Sequence, residues 1–311
     1  MYWHWIIIIA ITLLLGIIYL VSGLILFLYL CKPRRELSAS LTGNTSRTLY
    51  PYVPLIKEKA RQNSRLKHEN VSCNAFDGNL LRAKLYRNGN NERFLILVHG
   101  YHSSIFWDFA TCFEWLVESG CSLLAVESRA HGSEGKYIGF GALDQRDIYT
   151  WMNWLTERYG YNIHIGLVGF SMGAATVMMT SGNFPVKQLR CVIEDSGYSS
   201  LSDVIRNKIR MNHYPRIPII PASSLWSRIL AGYSFQEACP ERAVAKSTVP
   251  TLFIHGTGDT FVPFWMLDRV FSACSAPKEK AVFQNAKHGE ASFIEPERYR
   301  ETVLAFLDRY L

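Results

Sequence analysis

The chain of 311 residues predicts a mostly parallel α/β sheet with helices on both faces, an inserted cap, and one apolar helix ahead of it. Three observations carry this expectation. After a hairpin signal, short runs rich in β-branched residues alternate with stretches of helical length, the pattern of a parallel sheet covered on both faces. The segment 197–247 is too long for a simple strand-to-strand crossover, and its middle, 211–221, is apolar and interrupted by prolines. Residues 6–30 contain no charged side chain.

The first element is that apolar run, dominated by Ile, Leu, Val and Phe. At about 1.5 Å per residue it exceeds a hydrocarbon layer of about 30 Å, leaving room for tilt. Trp3, Trp5 and Tyr29 stand at its edges, where amphipathic rings favour the membrane interface. A cleaved signal peptide is the alternative. Against it, no Lys or Arg precedes the run, the run is too long, and no small-x-small cleavage site follows. Leu28-Tyr29-Leu30-Cys31 is a poor lipoprotein signal because a bulky leucine precedes the cysteine. Residues 1–31 are therefore expected to be a retained transmembrane anchor.

Residues 32–69 follow as a basic juxtamembrane linker. Between Lys32 and Lys67, the basic residues Lys32, Arg34, Arg35, Arg47, Lys57, Lys59, Arg61, Arg65 and Lys67 are opposed only by Glu36 and Glu58, and the formal net charge of +7 lies wholly in this stretch. A basic patch confined there suits anionic lipid headgroups and argues against nucleic acid as a partner; a merely solvated linker is the plainer alternative. Lys32, Arg34 and Arg35 on the C-terminal flank of the anchor put the following domain in the cytoplasm. The 7 cysteines agree: the number is odd, no C-x-x-C occurs, and Cys121 and Cys191 sit in apolar strand-like runs, so they read as reduced core residues.

Within the linker an amphipathic helix is expected around 55–66. Asp77-Gly78-Asn79 between 71–76 and 80–86 is a hairpin signal. Strands are then expected at 94–98, 122–126, 163–168, 189–193, 251–255 and 280–283. Helices are expected near 106–118, 143–159, 174–182, 263–273 and 296–311. The insertion at 197–247 reads as a cap over the C-terminal strand ends, where open α/β sheets bind ligands; a structural insertion without substrate contact is the alternative.

The most informative motif is Gly169-Phe170-Ser171-Met172-Gly173. It follows a strand-like run and precedes a helix-like one. A serine on a sharp strand-to-helix turn is pushed out of the sheet, and the first amides of the helix face whatever it attacks. Such a serine needs a base, a group that orients the base, and donors for the oxyanion, in the chain order Ser, acid, His. Three histidines follow Ser171: His213 in the cap, His255 and His288. His255 ends a buried strand and reads as a support for the next loop. His288 lies in Asn285-Ala286-Lys287-His288-Gly289-Glu290, between the last strand and last helix, and is the expected base. Asp259, after the 251–255 strand and among small residues, is the favoured acid, with Asp195 as its rival. The amides of Met172 and Tyr101 are the expected oxyanion donors, Tyr101 coming from the loop that begins His99-Gly100. His99 and His102 lack an acidic or thiol partner at ligand spacing, so no metal or cofactor is expected.

These residues resemble the α/β-hydrolase family of serine esterases, lipases and aminopeptidase-like enzymes. Besides the serine turn and His99-Gly100, the sequence has Glu127-Ser128-Arg129-Ala130-His131-Gly132-Ser133, similar to the family's D-x-R-G-H-G-x-S loop with Glu127 for Asp and Ala130 for Gly. Glu194 to Ser200 and Gly258-Asp259 through Val262-Pro263 also match. The resemblance covers about residues 70–311, with the anchor and the basic linker outside it, and implies an α/β-hydrolase fold. It implies a serine hydrolase cleaving carboxylic (acyl) esters through Ser171, Asp259 and His288 and an acyl-enzyme intermediate. The apolar run ahead of it makes the expected enzyme a membrane-anchored one. The implied partners are a small-molecule or lipid-like acyl substrate and membrane lipids. Two alternatives stay open. An aminopeptidase-like amide hydrolase would need carboxylates near the cap, for which Glu237 and Glu241 are candidates. The other is a non-catalytic binding protein on a hydrolase scaffold.

Overall fold

Strand β3 (Arg93–Val98) shows why the sheet lies in the middle of the domain. Phe94, Ile96 and Val98 pack with Trp151 and Leu155 on one side, while Leu95 and Leu97 pack with Phe113 and Phe306 on the other. Apolar residues on both faces leave a strand no solvated side, so it needs helices above and below. Each fully buried Leu or Phe contributes on the order of 2 kcal/mol. The computed structural model describes residues 2–33, 47–89, 92–212 and 218–311. The basic residues Arg34 and Arg35 and the cap histidine His213 lie outside the described residues.

The other strands are β1 (Glu69–Asn74), β2 (Leu80–Tyr86), β4 (Ser122–Glu127), β5 (His164–Phe170), β6 (Leu189–Asp195), β7 (Thr251–Gly256) and β8 (Lys278–Phe283). They form one 8-stranded sheet in the order β1-β2-β4-β3-β5-β6-β7-β8. The β1–β2 hairpin and the β2–β4 pair are antiparallel, and every later pair is parallel. Helices α3 (Ile105–Asp108), α4 (Phe113–Glu118) and α12 (Pro296–Tyr310) belong to one face; α5 (Asp144–Tyr159) and α6 (Met172–Asn183) belong to the other. The helix expected near 106–118 is split. It stops at Phe109, because the Asp108 carboxylate turns inward to accept from the Gly100 amide at 2.6 Å and the Ser103 hydroxyl at 2.5 Å.

The N-terminal third departs further from the expected linker. After a 3-10 turn at Arg47–Tyr52, helix α2 (Val53–Ser64) buries Ile56, Ala60 and Asn63. Ile56 packs with Leu49, Trp107 and Ala110, and the Thr48 hydroxyl donates to the His288 carbonyl at 3.3 Å. The second half of the basic segment is thus part of the domain, because i, i+4 apolar spacing gives α2 one face to bury.

Helix α1 (Trp3–Cys31) has 29 residues and is long and apolar enough to cross a membrane. Every residue from Trp3 to Ile18 is exposed, whereas Gly23, Phe27 and Cys31 are buried. These pack on the cap, which consists of α7 (Leu201–Met211), α8 (Ile219–Ala231) and the short α9 (Pro240–Val244) between β6 and β7. Helix α10 (Trp265–Ala273) and the single turn α11 (Ala291–Ile294) complete the chain.

Candidate active site

Strand β5 delivers Ser171 to the end of the sheet through a backbone that few side chains tolerate. Ser171 has φ 53° and ψ −110°, a sparsely populated conformation that persists only where the surroundings fix it. Its amide donates to the Asp195 carbonyl at 2.8 Å, and its carbonyl accepts from the Ala175 amide at 3.0 Å. The glycines two residues away on each side have no alternative. A Cβ on Gly173 would lie 2.0 Å from the Val98 carbonyl oxygen, and one on Gly169 would lie 2.3 Å from the Gly173 oxygen. Backbone meets backbone there, so neither clash has a flexible side chain to relieve it.

His288 arrives from the loop after β8. The next residue, Gly289, has φ 77°, and a Cβ on it would lie 2.7 Å from the Phe170 ring, so only glycine lets this loop close over the serine. The His288 Nδ1–H donates to Asp259 Oδ2 at 2.7 Å. That bond leaves Nε2 as the acceptor for the Ser171 hydroxyl, 2.9 Å away. All three side chains are buried, with the Phe261 ring 5.0 Å from the imidazole. Asp259 is held in turn by the loop after β7, where its Oδ1 accepts from the amides of Phe261 and Val262, both at 2.9 Å. Burial alone would raise the Asp259 pKa. The charge of His288 and the hydrogen bonds from His255 and His288 outweigh it and hold the carboxyl well below its ordinary range.

Asp195, the rival acid, is engaged elsewhere. Its carboxylate accepts from the Tyr299 hydroxyl at 2.9 Å and the Ser196 hydroxyl at 2.8 Å, and burial raises its pKa. His255 donates from Nε2 to the Val262 carbonyl at 2.9 Å and lies 3.4 Å from Asp259 Oδ2, so it braces the Asp259 loop from behind.

The loop 99–102 crosses directly over the serine: a Cβ on Gly100 would lie 3.2 Å from the Ser171 Cβ. Both neighbours of Tyr101 are tied down. The Gly100 amide donates to Asp108, and the His102 amide donates to His131 Nε2 at 2.9 Å. Since His131 Nε2 accepts, its proton sits on Nδ1, which donates to the Arg129 carbonyl at 3.0 Å. Met172 is the first residue of α6, where an amide has no partner within the helix. His131 stood in the E-S-R-A-H-G-S motif, which carried a sequence signal for this loop. Asp108 carried none.

Ala130 takes the left-handed conformation, φ 61°, where the resembling motif has glycine. The loop is paid for by Arg129, which is buried and forked onto Asp147 at 2.7 and 2.6 Å, with Asp77 at 2.9 Å. His99 donates from Nδ1 to the Gly100 carbonyl and accepts from the Ser128 amide on Nε2; burial, with the His131 ring beside it, pushes its pKa down to about 3. Among the described residues, no group of three or more His, Cys, Asp or Glu side chains is arranged to hold a metal ion. The arrangement is suited to proton transfer from a serine hydroxyl toward a buried imidazole.

Residues 95–302 match the profile of the alpha/beta hydrolase family. The chain is 26% identical over 194 residues to the protein YqkD of Bacillus subtilis, covering 62% of this chain and 64% of that protein. It is 26% identical over 198 residues to YfhR of Escherichia coli K12, covering 62% of each. The chain thus spans under two thirds of the length of these curated relatives. Among solved structures, the Pyrococcus furiosus esterase Pf2001 is similar with a TM-score of 0.66 at 26% identity, covering 80% of this chain and 95% of that one. The alpha/beta hydrolase GrgF from a Penicillium species has a TM-score of 0.61 at 18% identity, covering 79% of this chain and 99% of that one, which is a likeness of fold. With the profile spanning most of the strands and helices described above, this chain belongs to the alpha/beta hydrolase family.

Proposed function

We propose that the protein is a membrane-anchored carboxylic ester hydrolase that works through an acyl-enzyme on Ser171. The observation that carries this reading is the continuous hydrogen-bonded chain from Ser171 through His288 to Asp259. His288 takes the hydroxyl proton as Ser171 Oγ attacks the acyl carbonyl, and the C–O bond of the leaving alcohol then breaks as His288 returns that proton to it. Water, deprotonated by the same imidazole, attacks the acyl-enzyme, and the bond between Ser171 Oγ and the acyl carbon breaks as His288 returns the proton to Oγ and the acid leaves. Asp259 keeps the Nδ1 proton in place and stabilises the imidazolium without taking the proton. The amides of Tyr101 and Met172 hold the oxyanion; one such donor contributes about 3 to 4 kcal/mol to the transition state.

The membrane part of the proposal divides the chain into an anchor at 1–31, a basic segment at 32–69 whose second half packs on the domain through α2, and a hydrolase domain at 70–311 with its cap at 197–247. Lys32, Arg34 and Arg35 favour a cytoplasmic domain. The apolar cap and the anchor favour an amphiphilic acyl substrate. For an aminopeptidase-like reaction the candidate carboxylates are already engaged: Glu237 pairs with Arg228, and Glu241 with Arg269. The naming of Pf2001 as an esterase supports the ester reading.

Labelling with a fluorophosphonate probe tests the chemistry. The wild-type protein is expected to label and Ser171→Ala is not. Equal labelling of both, or of neither, overturns the proposal. Parallel assays with acyl esters and aminoacyl amides test the substrate class, and faster turnover of the amides would overturn the ester assignment.

A further inference from the structure

Helix α8 does more than cover the site. Its inner face is made of small residues, Ala222, Ser223, Ser224 and Ser227, all buried, and α1 lies against it. Three contacts run in order along both helices, and the Trp226 indole N–H reaches back to donate to the Leu20 carbonyl at 2.8 Å. The Tyr19 hydroxyl donates to the Pro218 carbonyl at 2.8 Å. A Cβ on Gly23 would lie 2.5 Å from the Ala222 Cβ. Near the other end, Tyr233 just beyond α8 meets Cys31, its hydroxyl 3.6 Å from the thiol. The two helices therefore run side by side in the same direction over the C-terminal half of α1. Glycine against alanine and serine is the packing by which helices approach closely in a lipid environment.

The outer face of α8 carries Pro221, Leu225 and Ile229 at i, i+4 and i+8, all exposed. Leu225 is 49% and Ile229 61% exposed, with Leu230 beside them at 38%. The one ionised side chain of α8, Arg228, is paired with Glu237. A soluble cap has no reason to turn such a stripe to water.

The length of α1 says what covers it. The part free of the domain, Trp3 to Ile18, rises about 24 Å at 1.5 Å per residue, short of a hydrocarbon layer of about 30 Å. The missing depth has to come from the turns that begin at Tyr19, the ones clasped by the Pro218 end of α8. A bilayer deep enough to bury α1 therefore also reaches α8.

We infer that α8 is a second membrane-contacting element, with Pro221 at the hydrocarbon edge and Leu225 and Ile229 in the interfacial layer of the leaflet through which α1 leaves the bilayer. This rests on the anchor reading above.

The test uses the full-length protein in phosphatidylcholine–phosphatidylglycerol vesicles doped with brominated phosphatidylcholine. An environment-sensitive thiol dye is attached at Leu225→Cys or Ile229→Cys, with the unsubstituted protein reporting the background from native thiols. Ile8→Cys reports α1, and Tyr161→Cys reports the far end of the sheet, where Tyr161 is 79% exposed. Quenching at both α8 positions, several-fold above Tyr161→Cys and below that at Ile8→Cys, is the expected result. Quenching at Ile8→Cys with both α8 positions at the Tyr161→Cys level overturns the inference and leaves the anchor standing. No quenching at Ile8→Cys, with protein that fails to float with the vesicles, overturns the anchor and the inference together. Thiol cross-linking between copies through the α8 positions, with no quenching there, assigns the stripe to a second copy and overturns the inference.

Discussion

The Tyr101 hydroxyl donates to the Leu30 carbonyl at 2.9 Å, tying the loop that crosses Ser171 to the last turn of the N-terminal helix. The Tyr101 ring also stacks on Phe140, 5.2 Å between centroids, and α1 is fastened again where the Ile138 amide donates to the Cys31 carbonyl at 2.8 Å. A helix long and apolar enough to cross a membrane and a loop that borders the serine are thus joined by a single side chain.

Tyr101→Phe removes that link and keeps the ring. The lost hydrogen bond is worth about 1 kcal/mol, so thermal unfolding should shift down slightly. Turnover should fall several-fold while the KM for a small soluble ester changes little, because the loss acts on loop position. Unchanged kcat would mean that the link to Leu30 does not position the loop.

Asp259 and Asp195 are separated by exchanging each for asparagine. Asp259→Asn removes the acceptor that fixes the His288 Nδ1 proton, and kcat should fall by about 10⁴-fold. Asp195→Asn disturbs the bonds from Tyr299 and Ser196 and should cost chiefly stability, with kcat within about tenfold of wild type, ~1.4 kcal/mol in the barrier. Comparable losses of kcat in the two variants would undo the assignment of Asp259.

Gly173→Ala brings a methyl group to 2.0 Å from the Val98 oxygen. Neither partner is a side-chain tip that can rotate away, so the strand and helix must separate. The cost should be about 3 kcal/mol or more, seen as a large drop in the urea midpoint. A midpoint within error of wild type would mean that the strand–helix approach is looser than described.

How much of this was legible in the sequence depends on the range of each interaction. The serine turn is local: two glycines, a strand before and a helix after, all within a dozen or so residues, so G-F-S-M-G was readable. His288 and Asp259 were reached by chain order, since the sheet brings successive strand ends to one edge. Nothing local marked Asp108, which works on Gly100 through a carboxylate turned out of a broken helix. The amphipathic helix at 55–66 was readable, but the basic composition of residues 47–67 gave no sign that its Ile56–Ala60 face packs on the domain. The pairing of α1 with α8 was also hidden. Gly23 and Ala222 are unremarkable in apolar helices until the fold brings two segments about two hundred residues apart into contact.

Glu194 yields the last expected outcome, in the pH dependence of stability. It is fully buried; its Oε2 accepts from the Gly197 amide at 2.9 Å, and its Oε1 has no hydrogen-bond partner. Burial pushes the carboxyl from its ordinary value near 4.5 up to about 8, against the opposing pull of the His255 charge and the Gly197 amide. Between those two values the folded protein binds a proton that the unfolded chain has released. Stability from this group is therefore complete below about pH 4.5 and falls as pH rises toward 8, by up to about 1.4 kcal/mol per pH unit. Glu194→Gln keeps an acceptor for the Gly197 amide and cannot ionise. Its stability relative to wild type should rise steadily between those pH values, measured by urea unfolding at each. A constant offset between the two proteins would mean that Glu194 is ionised in the fold throughout.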